Sequence, residues 1–97
     1  MAKFALLARL EAKPGKEEEV AEFLRSALPL AQKESGTVKW FAFRIGSSTF
    51  GIYDTFDDEA GRQAHLSGPI ASALMAKASE LLAKPPVIEK LDILAEK

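Results

Sequence analysis

The chain has 97 residues, 47% of them hydrophobic and 28% charged, with 13 Lys and Arg against 14 Asp and Glu. That is room for one domain with a thin core, so burial gained by self-association carries weight. A net charge of -1 without a basic run argues against nucleic acid as a main partner, and the lack of cysteine excludes disulfides, thiolate metal sites and a Cys nucleophile.

Lys3 to Ala12 alternates, with Phe4, Leu6, Ala8 and Leu10 on one parity, and predicts a strand with one face well buried. Its apolar stretch is short and leads straight into Arg9 and Glu11, so it reads as mature protein, not as a signal peptide. No apolar run approaches the roughly 20 residues of a membrane span, and a cytoplasmic protein with no membrane partner is expected. Pro14-Gly15 ends the strand, and Glu17, Glu18 and Glu19 put negative charge where a helix N-terminus is partly positive. Val20, Phe23, Leu24, Ala27, Leu28 and Ala31 recur at helical spacing, with Pro29 placed to kink the last turns and Ser35-Gly36 to end them.

Thr37–Ile45 and Phe50–Phe56 read as the two strands of a hairpin around Gly46-Ser47-Ser48-Thr49. Asp57 or Asp58 can cap a helix from Glu59 to about Leu66. Ser67-Gly68-Pro69 interrupts it, a second segment runs from Ile70 to Ala83, and Lys84-Pro85-Pro86 stops it before a last strand, Val87–Leu94. Two β-α-β units in tandem predict an α+β, ferredoxin-like βαββαβ protomer: a four-stranded antiparallel sheet with both helices on one face. Strand residues are apolar on both parities, with Phe41, Phe43, Ile45, Phe50 and Ile52 on one and Val38, Trp40, Ala42, Tyr53 and Thr55 on the other. Helices cover one face only, so a second copy packed sheet to sheet is expected on the other.

A hairpin closed by Gly46 and Thr49 sets Ala42 opposite Tyr53, Arg44 opposite Gly51 and Trp40 opposite Thr55. Large aromatics beside Ala42 and Gly51 leave either a ligand pocket edged by Trp40, Tyr53 and Arg44 or an interlocking core or interface. Asp54, between Ile52 and Phe56, is either a base with a raised pKa or a structural carboxylate at an edge or paired with Lys39 or Arg9. His65, the only histidine, is the natural proton-transfer group at neutral pH, or a packing residue. One His and no Cys make a metal site unexpected, and Gly46–Gly51 has neither the Lys nor the following helix of a phosphate loop.

Strand one leading into Lys13-Pro14-Gly15-Lys16, the passage Glu34-Ser35-Gly36-Thr37-Val38-Lys39-Trp40, and Phe50-Gly51-Ile52-Tyr53-Asp54-Thr55-Phe56-Asp57-Asp58 followed by Ala64-His65-Leu66 together resemble the antibiotic biosynthesis monooxygenase-like family. The resemblance spans nearly the whole chain and implies a single domain over 1–97, forming a homodimeric α-β barrel of the quinol oxygenase type. It implies cofactor-independent oxidation of a phenolic or quinol-type aromatic substrate by molecular oxygen, with no metal or flavin. His65 would match the family's histidine as base, Tyr53 would assist it, and Trp40, Arg44 and Asp54 would contact substrate. The chain departs from that pattern in having no asparagine and in carrying its sole tryptophan on strand two. Two other functions fit the same pattern: a non-catalytic small-molecule binding or stress-responsive dimer, and a barrel isomerase or lyase using His65 as base.

Overall fold

The computed structural model describes residues 3–97. In chain order they form β1 (Phe4–Glu11), α1 (Glu17–Ser26), α2 (Leu28–Gln32), β2 (Thr37–Ile45), β3 (Thr49–Phe56), α3 (Glu59–Leu66), α4 (Pro69–Leu81) and β4 (Val87–Asp92). Pro29 does not kink one helix but opens another. A proline in a first turn gives up only an N–H that would be unbonded anyway, so the chain breaks at Ala27 and restarts as α2. Asp58 caps α3, its Oδ1 accepting from the Gly61 N–H at 2.7 Å. Ser67-Gly68 ends α3 and Pro69 begins α4, so each of the two expected helices is a broken pair.

The strands form one antiparallel sheet in the order β2-β3-β1-β4. With the helices over one face, this is the ferredoxin-like βαββαβ arrangement of the α+β class. Leu10, Phe50, Ile52 and Ala8 from the sheet meet Val20, Leu24, Leu74 and Leu81 from α1 and α4 in the main core. Ala27, Ala31 and Ile70 make a second cluster, and Trp40 packs against both.

The β2–β3 register differs from the expected one by a residue. Gly46, at φ 70°, begins a three-residue loop, so Ile45 rather than Gly46 pairs with Thr49. A one-residue slip moves every side chain of one strand to the other face relative to its partner. Trp40 therefore faces Asp54, Ala42 faces Ile52 and Arg44 faces Phe50, all beneath the helices. Phe41, Phe43 and Ile45 face Tyr53, Gly51 and Thr49 on the helix-free side. The grouping of Tyr53 with Trp40 and Ala42 is thus corrected, and the open face carries Phe41 stacked on Tyr53, with ring centroids 6.4 Å apart. Phe41, Ile45 and Val87 are 52%, 43% and 45% exposed there.

Candidate functional site

The chemistry-bearing side chains converge where α3 crosses the sheet. His65, in the last turn of α3, is buried, and its Nδ1 lies 2.7 Å from Glu34 Oε1 in the turn before β2. Its Nε2 lies 2.8 Å from Oδ2 of Asp54 on β3. Asp54 is only 1% exposed, in the middle of the sheet. It is therefore not at an edge, and its ionic partner is His65 rather than Lys39 or Arg9. The carboxylates occupy opposite nitrogens of one ring, which fixes the ring's orientation.

Local packing brings Glu34 into reach. Its Oε1 also accepts from Thr37 Oγ1 at 2.8 Å, which steadies the carboxylate from its own turn. Gly36 lets that turn lie against the first turn of α3: a Cβ placed on it would stand 2.9 Å from the Gly61 Cα. The Phe56 ring flanks the imidazole, with centroids 5.5 Å apart.

Burial disfavours the charged ring, but hydrogen bonding and charge from Asp54, and then from Glu34, outweigh it. The pKa of His65 rises from the ordinary 6.5 to about 9. At neutral pH the ring is an imidazolium and not a resting base. Two buried carboxylate oxygens, Asp54 Oδ1 and Glu34 Oε2, have no hydrogen-bond partner among the described residues. Such oxygens are costly inside a protein and mark where a donor from a ligand or water would be bound.

Two spaces adjoin these residues. One, about 30 Å³, lies over Asp54 and His65 and is otherwise lined by apolar side chains of the sheet, α3 and α4. It holds molecules on the scale of a water. The other, about 340 Å³, is a groove between α1 and β2 lined by Trp40, Ala42, Arg44 and Phe50 from the sheet and Leu24 and Arg25 from α1. Small-molecule sites run from about 300 to 1,000 Å³, so this groove is the substrate-sized one. Trp40 stands between the two regions: it lines the groove and is the cross-strand neighbour of Asp54.

Of the residues anticipated from sequence, His65 and Asp54 are together, and Trp40 and Arg44 are together in the groove. Tyr53 is with neither pair, because its side chain belongs to the open face. Glu34 was not anticipated as a partner: it lies 31 positions from His65 and nothing local in the sequence signals the contact. Arg62 was also missed. It is buried, donates to the carbonyls of Ala5 and Leu91, both at 3.3 Å, and pairs with Glu59, clamping α3 to the sheet. Among the described residues no cluster of three or more His, Cys, Asp or Glu side chains is arranged to hold a metal ion. Nor is any helix long and apolar enough to cross a membrane.

Comparison with solved structures finds a protein of unknown function from Nitrosomonas europaea at 64% identity and a TM-score of 0.98, covering 100% of this chain and 94% of that one. The chain belongs to that protein's family. Its fold is also that of two proposed antibiotic biosynthesis monooxygenases. One, from Nitrosomonas europaea, superposes with a TM-score of 0.84 at 15% identity, over 96% of this chain and 91% of that one. The other, from Caulobacter crescentus, superposes with a TM-score of 0.82 at 20% identity, over 97% and 92%. The fold implied by the sequence resemblance is the fold found. No protein-family model and no curated protein matches the chain.

Proposed function

We propose that this protein is a homodimeric, cofactor-independent monooxygenase acting on a small phenolic or quinol-type aromatic substrate. The observation that carries the reading is the Glu34–His65–Asp54 cluster, with an unpartnered Asp54 oxygen, set next to a substrate-sized groove, Trp40 adjoining both. A phenol or enol is oxidised by oxygen far more readily as its anion, so the protein need only remove a proton, hold the anion and exclude water. In this reading Asp54 Oδ1 accepts the substrate proton and the His65 imidazolium stabilises the anion. For an anthrone-type substrate, the CH2 group and one O2 become a carbonyl and one water, with all electrons supplied by the substrate. Trp40 and Arg44 would seat the ring, with the indole turning aside for it to reach Asp54.

The open sheet face supports the homodimer, because Phe41, Ile45 and Val87 leave an apolar surface that a second copy would bury. Tyr53, on that face, would contribute to dimerisation rather than to proton transfer. A second reading, a non-catalytic small-molecule binding dimer, is favoured by one feature: neither His65 nor Asp54 lines the groove itself.

Oxygen uptake by the metal-free protein with a panel of quinols and anthrones, autoxidation subtracted, tests the reading against His65→Ala and Asp54→Asn. Substrate-dependent uptake lost in both variants is the expected result. The charged-ring mechanism further requires the rate to fall, not rise, as pH passes about 9. Uptake no faster than autoxidation across the panel would leave the binding reading.

A further inference from the structure

The groove between α1 and β2 exists because nothing fills it. Ala42 belongs to the helix-covered face of the sheet, yet it is exposed, as is Leu28 at the start of α2. A larger side chain at position 42 would close the space. Its floor is apolar and aromatic, formed by Trp40, Phe50 and Leu24, while its remaining polar lining is the two guanidinium groups of Arg25 and Arg44. Trp40 Nε1, a hydrogen-bond donor, is buried with no acceptor among the described residues. The lining thus presents flat apolar surface, two cations and an unused donor, and no acceptor side chain.

Arg44 is held in place from three sides. Its guanidinium carbon stands 4.9 Å from the Phe50 ring centroid, and its Nη2 donates to Ser47 O at 2.9 Å and to Glu18 Oε2 at 3.0 Å. Arg25 meets Glu22 at 3.3 Å through one nitrogen. Both carboxylate partners are exposed, with side chains 77% and 74% accessible. Exposed ion pairs contribute little, so a ligand carboxylate that displaces Glu18 or Glu22 loses little by the exchange. Planar guanidinium groups suit a carboxylate because they can donate in pairs to its two oxygens.

From this complementarity we infer that the groove binds a planar aromatic carboxylate, its ring against Trp40 and Phe50 and its anionic end on Arg25 and Arg44. This narrows the substrate of the proposed oxygenase to an aromatic acid, and rests on that reading only for what becomes of the ligand once bound.

The chain has one tryptophan, so a ¹H–¹⁵N spectrum carries a single indole N–H signal, that of Trp40. Titration under nitrogen with 2-naphthoate and with its methyl ester separates the ring from the charge. The Trp40 signal should shift with both, the acid saturating at a concentration at least about tenfold lower, as charge-assisted hydrogen bonds imply. In the Arg25→Gln/Arg44→Gln double variant that preference should fall below about threefold, and Ala42→Leu, which fills the groove, should remove both responses. Equal affinity for acid and ester, a preference that survives the double variant, or a Trp40 signal unmoved by either probe would overturn the assignment. Oxygen uptake separates it from the catalytic reading. Acid binding with no uptake on the quinols, the anthrones or 1,4-dihydroxy-2-naphthoate leaves the groove assigned and removes the oxygenase, whereas neutral quinols oxidised by a protein that ignores the acid do the reverse.

Discussion

Deprotonating His65 would leave the buried carboxylate of Asp54 and the half-buried one of Glu34 against a neutral ring, and the fold would lose stability. The folded-state pKa, about 9, lies above the ordinary 6.5 because Asp54 and Glu34 favour the charged ring more than burial disfavours it. The stabilisation is therefore complete below pH 6.5, declines between pH 6.5 and 9, and is gone above that range. At about 1.4 kcal/mol per pH unit, that interval corresponds to on the order of 3 kcal/mol. The ring is 8% exposed, so solvent screens the cluster weakly. For a domain stable by about 5–15 kcal/mol, this is a large share. Urea unfolding between pH 6 and 9.5 reads it directly: with an m-value of about 1.5 kcal/mol/M, the midpoint should fall by about 2 M. His65→Gln has no charge to lose and should give a nearly flat profile over the same range. Because the chain has one histidine, its imidazole proton resonance can be followed without assignment, and should titrate near pH 9. A titration midpoint near 6.5, or an equal fall of the urea midpoint in His65→Gln, would show that the two carboxylates do not hold the ring charged.

Three further perturbations probe other parts of the structure. Asp54→Asn keeps the volume but removes one partner of the buried pair, and should destabilise by about 3 kcal/mol while lowering the His65 titration midpoint; an unchanged midpoint in NMR would show that Asp54 does not hold the ring charged. Gly36→Ala drives a Cβ to 2.9 Å from the Gly61 Cα, a backbone atom that cannot swing aside. It should cost about 2 kcal/mol in thermal or urea unfolding and shift the His65 resonance, as the Glu34 turn is pushed off α3. Phe41→Lys places a charge on the open face, midway along the edge strand β2, and should yield monomers if the parent sediments as a dimer at micromolar concentration. A monomeric parent, or a dimeric variant, would count against association through that face.

The elements were legible because each rests on a local signal. The alternation of Phe4, Leu6, Ala8 and Leu10, the stripe of Ile70, Leu74, Leu81 and Leu82, and the stops at Pro14-Gly15 and Pro85-Pro86 all act within a few residues. The Asp58 cap was legible for the same reason, since it involves only Gly61, three positions away. The hairpin register was not, because it turns on whether Gly46 sits in the loop or in the closing pair. That choice depends on the left-handed conformation of one glycine and decides the face of Tyr53 relative to Trp40. The site was half legible. His65 and Asp54 stand out as a lone histidine and a carboxylate among apolar neighbours, but their meeting requires α3 to cross β3, and the Glu34 contact requires the Gly36–Gly61 approach. Neither is encoded in a spacing.

The two carboxylates on His65 bear on what the cluster can do. A catalytic base at rest needs one free nitrogen aimed at substrate, and here both nitrogens are engaged. With the ring fixed and charged, the groups left without partners are oxygens, Asp54 Oδ1 and Glu34 Oε2, and those are the acceptors a substrate hydroxyl would meet. A carboxylate is ordinarily too weak a base to hold a phenolic proton near neutrality. The imidazolium beside it offsets that weakness from the other end, by lowering the free energy of the anion left behind. In the proposed reaction the division of labour would therefore fall on the pair, with the proton accepted at Asp54 and the charge answered at His65. On the same reading Arg25 and Arg44, at the far end of the groove, would orient the ligand and leave the Asp54 side of Trp40 free for the proton.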